Sequence, residues 1–173
     1  MMKKLRVGVA GYGVVGKCRK ECVDLHPDME MVAICDQIFN DNEIDAVLIS
    51  TRHHLHAPLA VEAAKAGKDI FLEKPMGLSV SECREVANAV RAAGVHFMVG
   101  FNRRFAPLAV EAKEMISKNS GPWQVLYRVN APGLPGDHWT QDPAVGGGRI
   151  VGEGCHFIDF CGWLIQENVD EVW

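Results

Sequence analysis

Val7-Gly8-Val9-Ala10-Gly11-Tyr12-Gly13-Val14-Val15-Gly16 decides the fold. Gly11, Gly13 and Gly16 stand in a G-x-G-x-x-G spacing, after a short apolar run and ahead of an amphipathic segment. Asp36 ends the next apolar run, 20 positions beyond Gly16. A strand, a glycine turn, a helix and then an acid at that distance predict a dinucleotide site. Gly11 permits the tight turn, Gly13 leaves room for a diphosphate against the backbone, and Gly16 lets the helix lie close to the strand. The helix start, with Tyr12, Val14 and Val15, offers main-chain N–H groups and the positive end of a dipole. Asp36 can accept hydrogen bonds from both adenosine ribose hydroxyls. Its charge would repel a 2′-phosphate, and neighbouring Gln37 brings no cation, so NAD is expected over NADP. The plainer reading is an ordinary glycine-rich turn, and the agreement of three contexts argues against it.

The chain has 173 residues, 48% of them hydrophobic and 23% charged, which suits one good core and either one domain or one domain plus part of another. A formal net charge of −4 argues against a protein that tracks nucleic-acid phosphates. No signal-peptide h-region precedes the first apolar run, and no run is long enough to span a membrane, so a cytoplasmic protein is expected. The six cysteines form no C-x-x-C pair and read as reduced, mostly packed thiols.

Strands are predicted at Leu5–Ala10, Glu30–Asp36, Ala46–Ser50, Asp69–Glu73 and His96–Gly100. Helices are predicted from Gly13 to Leu25, over Pro58–Ala66 and from a Ser79/Glu82 capping box to Ala93. This alternation predicts an α/β fold with a doubly wound parallel sheet over residues 1–120. Beyond it come a helix at Pro107–Ser117, a strand at Trp123–Asn130, a Gly/Pro-rich loop, a helix from Glu153 to Ile165 and the start of a strand at Val169–Trp173. Residues 121–173 therefore read as part of a second domain. Only eight residues separate Asp36 from Asp45. A parallel crossover needs a dozen or more, usually with a helix. A crossover helix and a strand are thus expected to be missing there, and the second sheet is expected to be truncated.

Glu73-Lys74-Pro75, Ile44–Thr51, His54-Leu55-His56, Ala66–Pro75, Val99–Phe105 and Gly146–Asp159 follow the glycine turn in order. With them the chain resembles the Gfo/Idh/MocA family of sugar and cyclitol oxidoreductases. That resemblance implies a Rossmann domain followed by an open, mostly antiparallel sheet, with a sugar-like substrate lying between them against the nicotinamide. It implies hydride transfer at a secondary alcohol of a sugar, cyclitol or nucleotide sugar. It also implies pairing of subunits through the C-terminal sheets, which leaves the association state of this chain open. By the same likeness Lys74 and His156 fall on the catalytic lysine and histidine.

His156 is the natural general base, since imidazole titrates near neutral pH. Lys74 closes a parallel strand, where such sheets bind ligands, and can stabilise a developing alkoxide. Most family members carry an aspartate four residues before the histidine, and here that position is Gly152. Glu153 either replaces that carboxylate, sharing a helical face with His156, or simply lies at the helix start. Ser50, Thr51, His54 and His56 after one strand, Glu73 and Lys74 after another, and Asn102 after a third are expected beside the cofactor. Arg52 stands where the family often has proline. Arg103 and Arg104 would either recognise an anionic group of the substrate or form ion pairs at the domain junction. Trp139 would stack on a sugar ring or plug its loop onto the core. No metal is expected at the His53, His54 and His56 run. The competing reading is a dinucleotide-binding fragment or degenerate relative without turnover.

Overall fold

The computed structural model describes residues 3–34, 38–167 and 169–171. Five parallel strands, β1 (Leu5–Ala10), β2 (Met29–Ile34), β3 (Ala46–Ile49), β4 (Asp69–Leu72) and β5 (Phe97–Val99), form one sheet in the order β2-β1-β3-β4-β5. Burial alternates along β3 and β4: Val47, Ile49, Ile70 and Leu72 are buried, their neighbours Ala46, Leu48 and Phe71 only half-buried. Helix α1 (Val14–Leu25) packs on β1 and β2, while α2 (His56–Lys65) packs on β3, β4 and α3 (Val80–Ala93). Ala57, Ala60, Ala63 and Ala64 give α2 a face without bulk, so the helix settles close onto Val47, Ile49, Ile70 and Leu72.

Local signals behave as their chemistry dictates. The Ser79 hydroxyl accepts from the Glu82 N–H at 3.2 Å, while the Glu82 carboxylate reaches back to the Leu78 N–H at 2.6 Å. Gly94 then ends α3 in the left-handed region at φ +68°. Helix α4 (Pro107–Ser117) opens on proline. Helix α5 (Cys155–Ile165) follows a single π-turn, Ile150–Gly154. No helix among the described residues is long and apolar enough to cross a membrane.

Between β2 and β3 the described residues contain neither helix nor strand, as the short spacing demands. Instead Ile38, Phe39 and Ile44, each at most 3% exposed, fill the core directly. A Cβ at Gly8 would lie 2.7 Å from the Ile38 Cδ1 and 3.0 Å from the Ile44 Cδ1, so glycine makes room for this plug. Two cations fasten it. The buried Lys68 Nζ donates to the carbonyls of Asp41 (2.7 Å) and Ile44 (2.8 Å). Arg6 forks onto Asp45 and also reaches Glu43, and it holds the Asp45 carboxyl well below the usual carboxylate range.

Three expectations need correction. Residues 123–130 form no strand, because no other strand among the described residues offers a ladder to their N–H and C=O groups. Residues 169–171 likewise carry no strand. Cys18 and Cys22 are exposed on α1 rather than packed.

Candidate active site

The carboxyl ends of β1, β3 and β4 open into a cleft of about 630 Å³, closed on the far side by residues 132–153. This is where an open parallel sheet binds ligands. Gly13, Val14 and Val15 line its floor. Gly11 takes φ +85°, and a Cβ there would sit 2.7 Å from the Thr51 nitrogen. A Cβ at Gly16 would lie 2.1 Å from the Gly11 carbonyl oxygen, so α1 could not seat against the turn. The Ser50 hydroxyl donates to that same carbonyl at 2.7 Å and locks the turn to β3. By contrast, a Cβ at Gly13 would meet nothing within 4 Å. No side chain caps the start of α1. Free amides, a dipole end and open space therefore coincide, and a diphosphate fits that cradle.

Lys74 follows β4. Its Nζ donates to the Gly152 carbonyl at 2.7 Å and stands 3.7 Å from the Glu153 carboxylate. Glu153 also accepts from Arg103 at 3.2 Å, and Arg103 donates to the Tyr127 hydroxyl at 3.1 Å. His156, on the first turn of α5, is 7% exposed, and its Nδ1 has no hydrogen-bond partner among the described residues. Burial pushes this imidazole below its ordinary value, and the charges of Lys74 and Arg103 push it the same way. Glu153 and Glu73 oppose them. The result is a neutral ring at physiological pH. A π-turn carries Gly152 and Glu153 into this corner, an irregularity common at functional sites.

Of the residues expected at the site, Gly13, Val14, Val15, Ser50, Thr51 and Glu73 line the cleft, as do Lys74, Trp139 and Glu153. Glu73 is held by Arg19. His56 borders the cleft but is 1% exposed, and its ring nitrogens engage the carbonyls of Pro75 (2.6 Å) and Thr51 (3.2 Å). It is a strut between α2 and the Lys74 segment, not a free ligand. Tyr12, His54, Asn102, Arg103, Arg104 and His156 do not line the cleft; His156 lies behind the Gly152–Glu153 turn that does. Arg104 pairs with Asp159 away from the cleft, and Arg103 pairs with Glu153. Asp36 lies outside the described residues. Trp139 packs edge-on against His53 at 4.7 Å, and His53 Nδ1 meets the Gly146 carbonyl at 2.8 Å. Arg52 and Arg149, not expected as site residues, do line the cleft. Their signal was present: Arg52 displaces a common proline, and Arg149 directly follows three glycines.

A parallel sheet with an uncapped glycine turn beside a lysine at a strand end defines a Rossmann-type nucleotide-binding domain. Residues 28–101 match the family described as "Oxidoreductase family, NAD-binding Rossmann fold" (GFO_IDH_MocA). The chain belongs to this Gfo/Idh/MocA family. It is similar to the "Uncharacterized oxidoreductase YrbE" of Bacillus subtilis, 28% identical over 198 aligned positions that cover 100% of the chain and 57% of the relative. It is also similar to the "scyllo-inositol 2-dehydrogenase (NAD(+))" of the same organism, 30% identical over 79% of the chain and 40% of the relative. The crystal structure of an NAD-binding protein from Listeria innocua superposes with a TM-score of 0.78 at 25% identity, over 97% of this chain and 56% of that one. The chain spans about half the length of the relatives it matches.

Proposed function

We propose that the protein is an NAD-dependent oxidoreductase acting on a secondary alcohol of a sugar, cyclitol or nucleotide sugar. The observation that carries this reading is the single cleft that joins the open Gly13 cradle to Lys74. When bound, the nicotinamide ring supplies the two-electron acceptor. Gly13, Val14 and Val15 would hold the diphosphate through their amides, and Asp36 would bind the ribose. Residues 1–120 would serve the coenzyme, and residues 121–173 would contribute the far wall of the substrate site.

An ammonium has three donors. Lys74 places one on the Gly152 carbonyl and turns toward Glu153, which leaves capacity for the reacting oxygen. There it would stabilise alkoxide character. His156, kept neutral by burial, would take the hydroxyl proton as the carbon–hydrogen bond gives up its electron pair. Glu153 partly offsets the two cations that surround it and sets the balance of charge around His156. Because a backbone carbonyl anchors Lys74, the missing side chain at position 152 does not release it.

Gly152 itself favours one rival, a coenzyme-binding protein without turnover, since no carboxylate stands at that position. The test is direct: measure NADH binding by fluorescence, then follow nicotinamide absorbance against a panel of sugars and inositols. Binding with turnover supports the proposal. Binding without turnover supports the rival, and absence of binding sinks both.

A further inference from the structure

The walls of the cleft carry two guanidinium groups whose charge no acid among the described residues neutralises. Arg52 follows Thr51 at the carboxyl end of β3, and Arg149 leads into the π-turn from the opposite wall. Among the described residues the Arg52 guanidinium meets only the Trp139 ring, 5.8 Å from its centroid. The Arg149 guanidinium reaches only the Pro132 carbonyl among those residues, at a long 3.5 Å. The neighbouring cations are different: Arg19 is paired with Glu73, Lys74 and Arg103 share Glu153, and Arg104 holds Asp159. The two acids that border the cleft, Glu73 and Glu153, are thereby already spent. Pro132, Leu134 and Trp139 add apolar wall beside the arginines. Such surroundings strengthen a charge-assisted hydrogen bond.

Guanidinium forks match carboxylate and phosphate oxygens, and an aromatic face suits the apolar face of a sugar ring. We infer that the cleft takes a sugar-like substrate bearing a carboxylate or phosphate, which Arg52 and Arg149 grip while Trp139 flanks the ring. This rests on the proposed function for its sugar, but the anion grip stands on the two unpaired arginines alone. An uncharged polyol would offer the guanidinium groups only neutral hydrogen bonds and leave their charge unmatched. The one other source of an anion in this cleft is the coenzyme's own diphosphate, on the Gly13 side.

Calorimetry on the full chain separates the sources. Glucuronate and glucose 6-phosphate are titrated against glucose and myo-inositol, with and without NADH, and NADH is titrated by itself. The expected result is acid binding at least about tenfold tighter than neutral binding, with Arg149→Met and Arg52→Met each weakening the acids about tenfold to a hundredfold. NADH affinity should change less than about twofold in Arg149→Met. Equal binding of acidic and neutral sugars, or no binding of either acid, overturns the inference. So does a loss confined to NADH in both variants, which would assign the arginines to the diphosphate. Acid binding that depends on both arginines in a protein that ignores NADH would overturn the coenzyme reading and leave this inference standing.

Discussion

Replacing Gly13 with aspartate should move stability and coenzyme binding in opposite directions. Gly13 has an extended backbone, φ −78° and ψ −158°, which any residue adopts, and open space where a Cβ would go. It is also the uncapped N-cap of α1. Aspartate caps a helix better than glycine by a few tenths of a kcal/mol, and its charge at the dipole end adds about 0.3–1 kcal/mol. The variant should therefore melt about 1–4 °C higher than the parent. The same carboxylate would stand where the diphosphate is expected. Two like charges about 4 Å apart repel by about 1 kcal/mol in water and about 4 kcal/mol near a protein surface. With two phosphates the loss is at least about 2 kcal/mol, so NADH should bind about 30-fold more weakly or worse. A thermal melt and an NADH fluorescence titration on the same sample read both quantities. Retained NADH affinity in a stably folded Gly13→Asp protein would refute the placement of the diphosphate.

His156→Asn should lower kcat by about a hundredfold to ten-thousandfold, with NADH affinity intact, as measured by steady-state rates and fluorescence titration. Glu153→Gln removes a charge that raises the His156 pKa, so the acid limb of the rate profile should move to lower pH, whereas Arg103→Met should move it higher. His53, His56 and His156 are all held below their ordinary values of 6.5, chiefly by burial. The unfolded chain thus binds more protons, and the melting temperature should fall as pH drops below about 6.5 and level off below the folded values. Phe39→Ala should cost about 3–5 kcal/mol in a urea titration, because that ring fills the space under the short crossover.

The sheet was legible because its signals are local. Gly11 and Gly16 are demanded by the backbone atoms that a Cβ would strike, and the Ser79, Gly67 and Gly94 boundaries follow from caps and left-handed turns. The short β2–β3 spacing announced a lost crossover, but not what replaces it. That required seeing Ile38, Phe39 and Ile44 turn inward together with Lys68 beneath them. The strand expected over 123–130 rested on β-branched and aromatic residues, and propensity without a pairing neighbour does not make a strand. At the site, Lys74 and Glu153 were foreseen from position along the chain. The division of labour among the arginines was not, since pairing across more than 50 residues, as in Arg104 with Asp159, leaves no mark on local sequence.

A crystal structure of the full chain with NADH decides where the coenzyme lies. The diphosphate should rest over the amides of Gly13, Val14 and Val15, with the nicotinamide turned toward Lys74 and His156. A coenzyme bound elsewhere, or a cradle that stays empty at saturating NADH, would contradict this placement.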